Sequence, residues 1–255
     1  MEKKTVVIGM SGGVDSSVAA CLLKDKGYNV IGATLELLDN YDTKQAIEDA
    51  KIICQKIGIP HYIFDLKKEF KEEIIKNFIS SYQQGKTPNP CVVCNRLFKF
   101  GYFYQKALEL GADYIATGHY ARIENNHLMM SLADGKDQSY FLCQIKKEIL
   151  PKILFPLNQF ANKEQIRELA RKYELPVSEK KDSQEVCFIP NDDYKTFLKK
   201  NGQKEIKGKI ILTNGTVLGN HTGLFNYTIG QRKGLNISYK EPLYVINLDT
   251  ENNNL

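Results

Sequence analysis

Residues 9–17 read Gly-Met-Ser-Gly-Gly-Val-Asp-Ser-Ser, a segment rich in glycine and serine that indicates the class of fold. The apolar run before it, Thr5–Met10, predicts a buried strand, and the segment after it, Asp15–Lys26, predicts a helix. Glycines let the backbone turn tightly around an anion, while serine hydroxyls and the amides of a helix N-terminus face that anion. The stretch lacks the Lys-Ser or Lys-Thr ending of a Walker loop. It therefore predicts a phosphate-binding turn of another kind.

Strand and helix signals continue to alternate over the first 125 residues. Further strands are predicted at Tyr28–Leu37, His61–Leu66 and Tyr114–Ile123, and further helices at Thr43–Ile57, Lys67–Gln83 and Asn95–Leu110. Asp42 occupies the predicted N-cap of the helix that starts at Thr43. Strands separated by helices of this length predict βαβ crossovers, and hence an α/β fold with a parallel sheet.

The pattern becomes mostly helical after the predicted sheet. Helices are predicted at Gln138–Ile149 and Lys163–Tyr173, and Asn162 with Gln165 forms a capping pair at the start of the second. The chain therefore divides into a nucleotide-binding domain over 1–135, a mostly helical linker over 136–204, and a third region after it.

The third predicted region, 205–255, is rich in short strands and turns. Asn214-Gly215 is a strong hairpin signal between the runs 207–212 and 216–218. Leu243–Leu248 predicts a last strand, followed by a turn over 249–254 and no later strand to pair with it. This region is therefore predicted to be a small β module that is incomplete.

Composition and charge limit the class of protein. Of the 255 residues 42% are apolar and 25% are charged, the balance of a globular domain rather than of a disordered or collagen-like chain. No apolar run is long enough for a membrane helix or a signal peptide, so the expected compartment is the cytoplasm. The net charge is +5, and eight Lys or Arg side chains but one acid, Glu205, lie between Lys195 and Lys233. Such an excess favours a polyanionic partner.

Three of the six cysteines form a chemically suggestive pattern. Cys91 and Cys94 make a Cys-x-x-Cys before a predicted helix, and Cys187 lies alone in Asp-Ser-Gln-Glu-Val-Cys-Phe-Ile. The pair is compatible with a redox pair, half a zinc site or part of an iron–sulfur site, although the absence of a second Cys-x-x-Cys weighs against a four-cysteine zinc site. A helix N-terminus lowers a thiol pKa, which favours a nucleophile. The other three cysteines, Cys21, Cys54 and Cys143, are predicted to be core residues.

Six segments together resemble the bacterial tRNA-uridine 2-sulfurtransferases, the tRNA-specific 2-thiouridylase (MnmA) family. They are GMSGGVDSSVAA at 9–20, TPNPCVVCNRLFKFG at 87–101, ATGHYARI at 116–123, KDQSYFL at 136–142, DSQEVCFI at 182–189 and HTGLFNYTIGQRKGL at 221–235. Their order and spacing agree with the family over essentially the whole chain. The resemblance implies a PP-loop ATP pyrophosphatase fold and an enzyme that adenylates the 2-oxygen of the wobble uridine and then replaces it with sulfur.

The resemblance also implies roles for individual residues. ATP would be bound by Gly9, Met10, Ser11, Gly12, Gly13, Val14, Asp15, Ser16, Leu35 and Gly118, with Asp15 holding Mg²⁺ or orienting the phosphates. Cys94 would be the nucleophile and Cys187 the carrier of a persulfide. The target base and the tRNA anticodon stem-loop would be contacted by Asn89, Pro90, Cys91, Lys136, Asp137, Gln138 and His119. A sulfur-donor protein or sulfide would be the second partner.

Two departures from the family leave alternatives open. Cys91 stands where many members have Asp, so Cys91, Cys94 and Cys187 together could hold a [4Fe–4S] cluster in place of a persulfide relay. The family usually continues further into a tRNA-gripping β-barrel, whereas this chain ends at Leu255. Another PP-loop ligase, or a shortened and catalytically idle tRNA-binding protein, are the competing hypotheses. The paired cysteines argue against the first and the intact motifs against the second.

Overall fold

The computed structural model describes residues 3–133, 135–160, 162–181 and 186–255. They form two compact units, each of which combines two stretches of the chain. The first unit lies within Met1–Phe70 and Cys91–Gln184, and the second lies within Lys71–Pro90 and Glu185–Leu255.

A parallel sheet forms the centre of the first unit, as predicted. The strands of this unit are β1 (Thr5–Gly9), β2 (Asn29–Glu36), β3 (His61–Asp65), β4 (Tyr114–Ala116), β5 (Arg122–Glu124), β6 (His127–Met129) and β7 (Ile153–Leu154). Five of them pair in parallel in the order β3-β2-β1-β4-β7, and β5 and β6 form a separate antiparallel hairpin. The α/β fold class expected from the sequence is therefore confirmed.

Most of the α-helices lie at or near predicted positions in the chain. They are α1 (Val14–Asp25), α2 (Tyr41–Ile57), α3 (Lys67–Phe70), α4 (Lys76–Gln83), α5 (Pro90–Cys94), α6 (Phe103–Glu109), α7 (Lys163–Lys172) and α8 (Tyr194–Lys200), of which α5 and α8 were not predicted. π-helical segments occur at Lys71–Ile75 and Asn95–Tyr102. In the described residues, none of these helices combines the length and the apolar character needed to cross a bilayer.

Both faces of the sheet are covered, which explains the continuous apolar run of β1. Val6 and Ile8 point into one core, which α1, α2 and α7 complete. Val7 points into the other, which includes Phe100 and Phe103. Side chains alternate across a strand, so a strand buried on both faces must be apolar at every position.

Several predictions of local structure are wrong. Asn40, not Asp42, caps α2, because its side chain accepts a hydrogen bond from the Thr43 amide at 2.8 Å. The predicted strand Tyr114–Ile123 is broken, since the chain leaves the sheet after Ala116. The predicted helix Gln138–Ile149 is replaced by two 3₁₀ segments, Ser139–Leu142 and Lys147–Lys152. By contrast, Asn162 caps α7 as predicted, accepting from the Gln165 amide at 3.1 Å.

The second unit contains the predicted hairpin, formed by β8 (Gly208–Ile211) and β9 (Val217–His221). The predicted strand Leu243–Leu248 is wrong, because only Val245 in it pairs with the chain around Gly230, through two hydrogen bonds. Leu255 bonds to Lys209 and Ile211 at 2.8 Å each, so the end of the chain lies beside β8. The predicted turn over 249–254 is confirmed.

An aromatic cluster joins α4 and α8 inside the second unit. Phe78 packs edge-on against Phe188 with ring centroids 5.3 Å apart, and Phe197 contacts Phe188 at 5.4 Å. Tyr82 stacks on Tyr194 at 5.3 Å. Rings that pack edge-to-face or offset contribute beyond their buried area, so these contacts help to hold Phe188 in the second unit.

Candidate functional site

The strand order of the sheet creates a crevice at the carboxyl end of β1. The chain passes from β1 to β2 on one side, whereas β4 lies on the other side of β1. In α/β sheets, ligands bind where the strand order reverses in this way, outside the carboxyl ends of the strands. The segment 10–13 after β1 and the segment 117–120 after β4 both leave the sheet at this crevice.

The turn after β1 is built for close approach of the backbone. Gly12 has φ +67°, and a Cβ placed on it would stand 2.5 Å from the Ala46 carbonyl oxygen. Gly13 is the N-cap of α1, and no side chain caps this helix. The amides of the first turn of α1 therefore face the crevice with the positive end of the helix dipole, an arrangement that suits an anion.

Serine side chains hold the turn in shape. Ser16 Oγ accepts a hydrogen bond from the Ser11 amide at 3.2 Å and lies 3.1 Å from Ser11 Oγ. Ser17 Oγ donates to the Gly13 carbonyl at 2.7 Å. Met10 is tied to β2, since its amide donates to the Ala33 carbonyl at 2.8 Å. These bonds hold the loop in shape, so a phosphate would meet a preformed turn.

The other implied nucleotide residues lie around the same crevice or beside it. Val14, in the first turn of α1, is buried in the core. Gly9 ends β1, and a Cβ on it would make only ordinary contacts at 3.8 Å. Leu35 lies on β2 opposite Phe64 of β3 and is half-buried.

Gly118 seats the segment after β4 on the N-terminus of α1. A Cβ on Gly118 would stand 2.9 Å from the Ser16 amide nitrogen and 3.0 Å from the Asp15 carbonyl carbon. Separations under 3 Å do not occur for real side chains, so only glycine fits here without movement of the helix. The Gly118 position is therefore part of the wall of the crevice.

Asp15 receives two hydrogen bonds on one carboxylate oxygen. Tyr120 donates its hydroxyl to Oδ1 at 2.7 Å, and the Lys163 ammonium donates to the same oxygen at 2.7 Å. A second basic residue, Lys180, bonds to the Gly12 carbonyl at 2.9 Å and to Asp49 at 2.6 Å. Sequence reasoning missed Tyr120, Lys163 and Lys180 as site residues.

The Cys-x-x-Cys pair forms the short helix α5, which continues directly into the π-helical segment Asn95–Tyr102. Cys91 and Cys94 are both half-buried. Burial raises the pKa of the Cys91 thiol, and the nearby Lys99 ammonium opposes this only in part. The expectation of a lowered thiol pKa is therefore wrong for Cys91. π-Helical turns inside helices are frequent at functional sites.

Asn95 follows Cys94 and is buried. Its amide nitrogen donates to the Phe141 carbonyl at 3.0 Å, while its buried Oδ1 has no hydrogen-bond partner among the described residues. A buried acceptor without a partner is costly unless water or a ligand satisfies it. This orphaned oxygen marks the start of the π-helical segment as a strained, polar position beside the thiol.

His119 is held between polar and aromatic neighbours. Its Nδ1 lies 2.7 Å from Thr117 Oγ1, its Nε2 lies 3.4 Å from the Lys99 ammonium, and its ring contacts Phe100 and Phe155. Burial, and secondly Lys99, hold the pKa of His119 well below its usual value of 6.5. Because an ammonium only donates, Nε2 accepts, and the neutral ring carries its proton on Nδ1.

The segment 136–138 is shaped by its own side chains. Asp137 accepts from the Ser131 amide at 2.8 Å and from the Ser139 hydroxyl at 2.7 Å. Burial alone would raise the pKa of Asp137, but these hydrogen bonds outweigh it and the pKa is lowered. Gln138 bonds to both the amide and the carbonyl of Tyr120. Asp137 and Gln138 thus fix the loop that carries Lys136.

The remaining predicted residues belong to the second unit. Cys187 is exposed, whereas the next residue, Phe188, is buried in the aromatic cluster. The anchored ring of Phe188 thus leaves the neighbouring Cys187 thiol exposed to solvent.

The other predicted residues differ in burial. Asn89 is half-buried and Pro90 is buried. The predicted motif around Cys187 begins at Asp182, and its residues 182–185 lie outside the described residues. Of the three cysteines predicted to be core, Cys21 and Cys54 are buried, but Cys143 is exposed.

A [4Fe–4S] cluster would require three thiolates that converge. In the ranges 3–133, 135–160, 162–181 and 186–255, no group of three or more His, Cys, Asp or Glu side chains lies close enough together to hold a metal ion. Cys91 and Cys94 belong to the first unit and Cys187 to the second, so the cluster stays the alternative to the persulfide relay, and the sulfur chemistry below uses thiols alone. The turn at Gly12 fits a nucleotide phosphate.

The fold and the crevice define a PP-loop nucleotide-binding domain. In agreement, residues 4–191 match the family model described as "tRNA methyl transferase HUP domain", and residues 195–255 match the one described as "tRNA methyl transferase PRC-barrel domain".

Curated relatives identify the family more closely. A tRNA-specific 2-thiouridylase MnmA 1 of Caldanaerobacter subterraneus subsp. tengcongensis is 50% identical, with 97% of this chain and 73% of the relative covered. The tRNA-specific 2-thiouridylases of Clostridioides difficile (45% identical; 99% and 74% covered) and Rickettsia prowazekii (48%; 98% and 73%) are similar. The chain belongs to the tRNA-specific 2-thiouridylase family, PP-loop sulfurtransferases, and spans about three quarters of the length of these relatives.

Among solved structures, the U34-tRNA thiolase NcsA from Methanococcus maripaludis with its [4Fe–4S] cluster is 24% identical, with a TM-score of 0.49 and coverage of 79% of this chain and 68% of that one. NMN synthetase from Francisella tularensis is 22% identical, with a TM-score of 0.46 and coverage of 71% and 67%. Similarity of this degree says nothing about the activity of this chain.

Proposed function

We propose that this chain catalyses the ATP-dependent 2-thiolation of the wobble uridine in tRNA anticodons, in the cytoplasm, where tRNA is found. The observation that carries the proposal is the preformed turn at Gly12 and Gly13, together with the close approach of Gly118 to the first turn of α1 at the crevice of the sheet. Family membership supports thiolation of uridine as the reaction. ATP would bind with its phosphates on the uncapped N-terminus of α1.

The first step is adenylation of the base. The 2-oxygen of the uridine attacks the α-phosphorus of ATP, the bond to the bridging oxygen of the β-phosphate breaks, and the electron pair leaves with pyrophosphate. The N3 proton of the base goes to solvent. Asp15 would hold Mg²⁺, which shields the phosphate charge when it is bound. The amides of the α1 N-terminus stabilise the negative charge that develops on the phosphates.

The second step transfers sulfur. The terminal sulfur of a persulfide on Cys187 attacks C2, and AMP leaves with the electron pair. The Cys94 thiolate then attacks Sγ of Cys187, so that the S–S electron pair moves to the sulfur on C2 and a Cys94–Cys187 disulfide forms. The base regains a proton at N3, and a thiol reductant returns the disulfide to two thiols. A sulfur-donor protein reloads Cys187 when the Cys187 thiolate takes the outer sulfur of a persulfide on the donor and the donor cysteine leaves as a thiolate. If sulfide is the donor, it takes the place of the reductant and attacks Sγ of Cys187 in the Cys94–Cys187 disulfide, which gives the Cys187 persulfide and the Cys94 thiolate.

One set of residues would bind the target base, and a second set would bind the rest of the tRNA. The target base must leave the anticodon stack to meet both ATP and the thiols, so we expect it to be extruded into a pocket. Asn89, Pro90, Cys91 and His119 would contact this base, and a neutral His119 suits an uncharged pyrimidine. Lys136, Asp137 and Gln138 would contact the tRNA nearby, and Lys or Arg residues between 195 and 233 would bind phosphates.

Asp15→Asn tests the nucleotide step. The substitution keeps the shape but removes the charge that would hold Mg²⁺, so tRNA-dependent pyrophosphate release should fall by about a hundredfold or more. Asp42→Asn, at an exposed position of α2, is the matched control and should keep the wild-type rate. Wild-type pyrophosphate release by a folded Asp15→Asn variant would show that the phosphate site is elsewhere.

A further inference from the structure

Lys163 reaches the phosphate turn from a distant part of the chain. It is the first residue of α7, whose start is fixed by the Asn162 cap, and α7 packs against α1 in the first unit. The ammonium of Lys163 lies 2.7 Å from Oδ1 of Asp15 in the first turn of α1. A cation is thereby fixed beside the turn that would receive a triphosphate.

The surroundings of this ammonium are more buried than those of an ordinary surface ion pair. The Lys163 side chain is 14% exposed and that of Asp15 is 29% exposed. Removing an ammonium from water is expensive, and partly buried ion pairs seldom stabilise a fold more than apolar residues would. Fold stability alone therefore explains this lysine poorly, whereas binding an anion at the crevice would use its charge.

Tyr120 helps to hold Asp15 so that the Lys163 ammonium can also bind a phosphate. The Tyr120 hydroxyl bonds to the same Oδ1 of Asp15 at 2.7 Å and so helps to hold the carboxylate in place. An ammonium has three N–H donors, which allows it to bond a carboxylate and a phosphate oxygen together. It also offsets the negative charge of Asp15, which would otherwise repel a polyphosphate.

We propose that Lys163 binds the β- and γ-phosphates of ATP and stabilises the pyrophosphate as it leaves. This inference deepens the proposed function and rests on it. When the α-phosphorus bonds to the uridine 2-oxygen, the electron pair of the broken P–O bond stays on the β-phosphate. The added charge therefore develops where the Lys163 ammonium lies, and the charge-assisted hydrogen bond strengthens in that step.

The test compares nucleotides that differ in the phosphates that Lys163 would bind. Isothermal titration calorimetry with Mg²⁺ measures the Kd of ATP and of AMP for the wild type, Lys163→Met and Lys163→Arg. The methionine variant should bind ATP roughly ten- to a hundredfold more weakly, while its AMP affinity changes less than about twofold. The arginine variant should recover part of the ATP affinity, because it keeps the charge. Pyrophosphate release in a single turnover should fall in the same order.

A matched control and a fold check make the result decisive. Lys172→Met removes an exposed lysine from the last turn of the same helix and should bind ATP as the wild type does. If Lys163→Met fails to fold by circular dichroism, the Lys163→Arg variant alone decides, through its ratio of ATP to AMP affinity against the wild type. Because arginine cannot reproduce the ammonium geometry, this ratio should fall by at least about threefold. An unchanged ratio in a folded variant, or equal losses for ATP and AMP, overturns the role of Lys163.

The two proposals fail in distinguishable ways. If the wild-type protein binds ATP and makes 2-thiouridine while Lys163→Met keeps the wild-type preference for ATP over AMP, only the role of Lys163 is wrong. If the wild-type protein binds no ATP and makes no 2-thiouridine, the proposed function and the inference that rests on it are both wrong.

Discussion

Gly118 and Ser16 approach each other so closely that a Cβ on Gly118 would stand 2.9 Å from the Ser16 amide nitrogen. The two residues lie 102 positions apart in the sequence numbering and on different elements, the segment after β4 and the first turn of α1. Their backbone contact joins the two sides of the crevice at the carboxyl end of the sheet. The shape of the phosphate site therefore requires glycine at position 118, where a Cβ would not fit.

Gly118→Ala should destabilise the protein and weaken ATP binding. The added methyl group pushes α1 away from the segment after β4, which we expect to cost about 1–3 kcal/mol. Gly9→Ala is the comparison, because a Cβ there would meet its neighbours at 3.8 Å, an ordinary contact distance. Urea unfolding and ATP titration measure the two effects. Equal free energies of unfolding for the two variants would contradict the close contact at Gly118.

The cysteines should divide into two groups in a thiolation assay. Cys94→Ser and Cys187→Ser should each abolish 2-thiouridine formation, because each thiol takes part in the sulfur transfer. Cys91→Ser should retain much of the activity, since the relay does not use its thiol. Cys143→Ser, at an exposed position outside the motifs, is the control and should be fully active.

Iron analysis separates the relay from a cluster mechanism. Protein purified without oxygen should contain no stoichiometric iron and should thiolate tRNA from a persulfide donor. Loss of activity in Cys91→Ser together with Cys94→Ser and Cys187→Ser, in protein that binds iron, would contradict the relay and favour a cluster held by these three thiolates.

His119 should make the protein lose stability in acid. The pKa of His119 lies well below 6.5 in the folded state, so between that pKa and about 6.5 the unfolded chain binds more protons. Stability from this residue is therefore present above pH 6.5 and falls as the pH is lowered. Urea unfolding at pH 7.5 and pH 5.5 should show a larger loss for the wild type than for His119→Gln. Identical losses would show that the ring is not held neutral.

Binding of tRNA should weaken with salt through the basic residues after Lys195. The slope of log affinity against log salt should be about −0.7 to −0.9 for each phosphate neutralised. Lys199 pairs with Glu205 at 2.8 Å, whereas Lys200 is also exposed and forms no ion pair within the described residues. Lys200→Met should therefore flatten the slope more than Lys199→Met does. Filter binding at several salt concentrations measures this, and the opposite order would exclude Lys200 as a phosphate contact.

Much of the fold could be predicted because its signals are local. The glycine turn at 9–17, the helix that follows it and the Asn162 cap each depend on residues within a few positions of one another. β1 could be recognised because both of its faces are buried and its apolar run is continuous. Such local patterns can be recognised without knowledge of the tertiary packing.

The failures concern features that only tertiary contacts decide. The strand after Tyr114 stops at Ala116 because the chain turns at Gly118 onto α1, which an apolar pattern cannot show. The β5–β6 hairpin is an exception with a local signal, because its turn residues Asn125 and Asn126 both have positive φ, which asparagine tolerates.

The basic residues of the phosphate site were missed for a similar reason. Lys163 and Lys180 meet Asp15 and Gly12 across separations of 148 and 168 residues. Neither lysine lies in the glycine-rich motif, and no periodicity links them to it. Only the packing of α7 on α1 shows that Lys163 reaches the turn.

Mass spectrometry of tRNA nucleosides after reaction tests ATP-dependent 2-thiolation of the wobble uridine most directly. Purified protein is incubated with unmodified tRNA, ATP, Mg²⁺, a persulfide donor and a thiol reductant, and a parallel reaction omits ATP. We predict 2-thiouridine at the wobble position only when ATP is present, with one AMP formed for each thiolated base. A methylated nucleoside, an unchanged uridine, or thiolation without ATP would contradict the account.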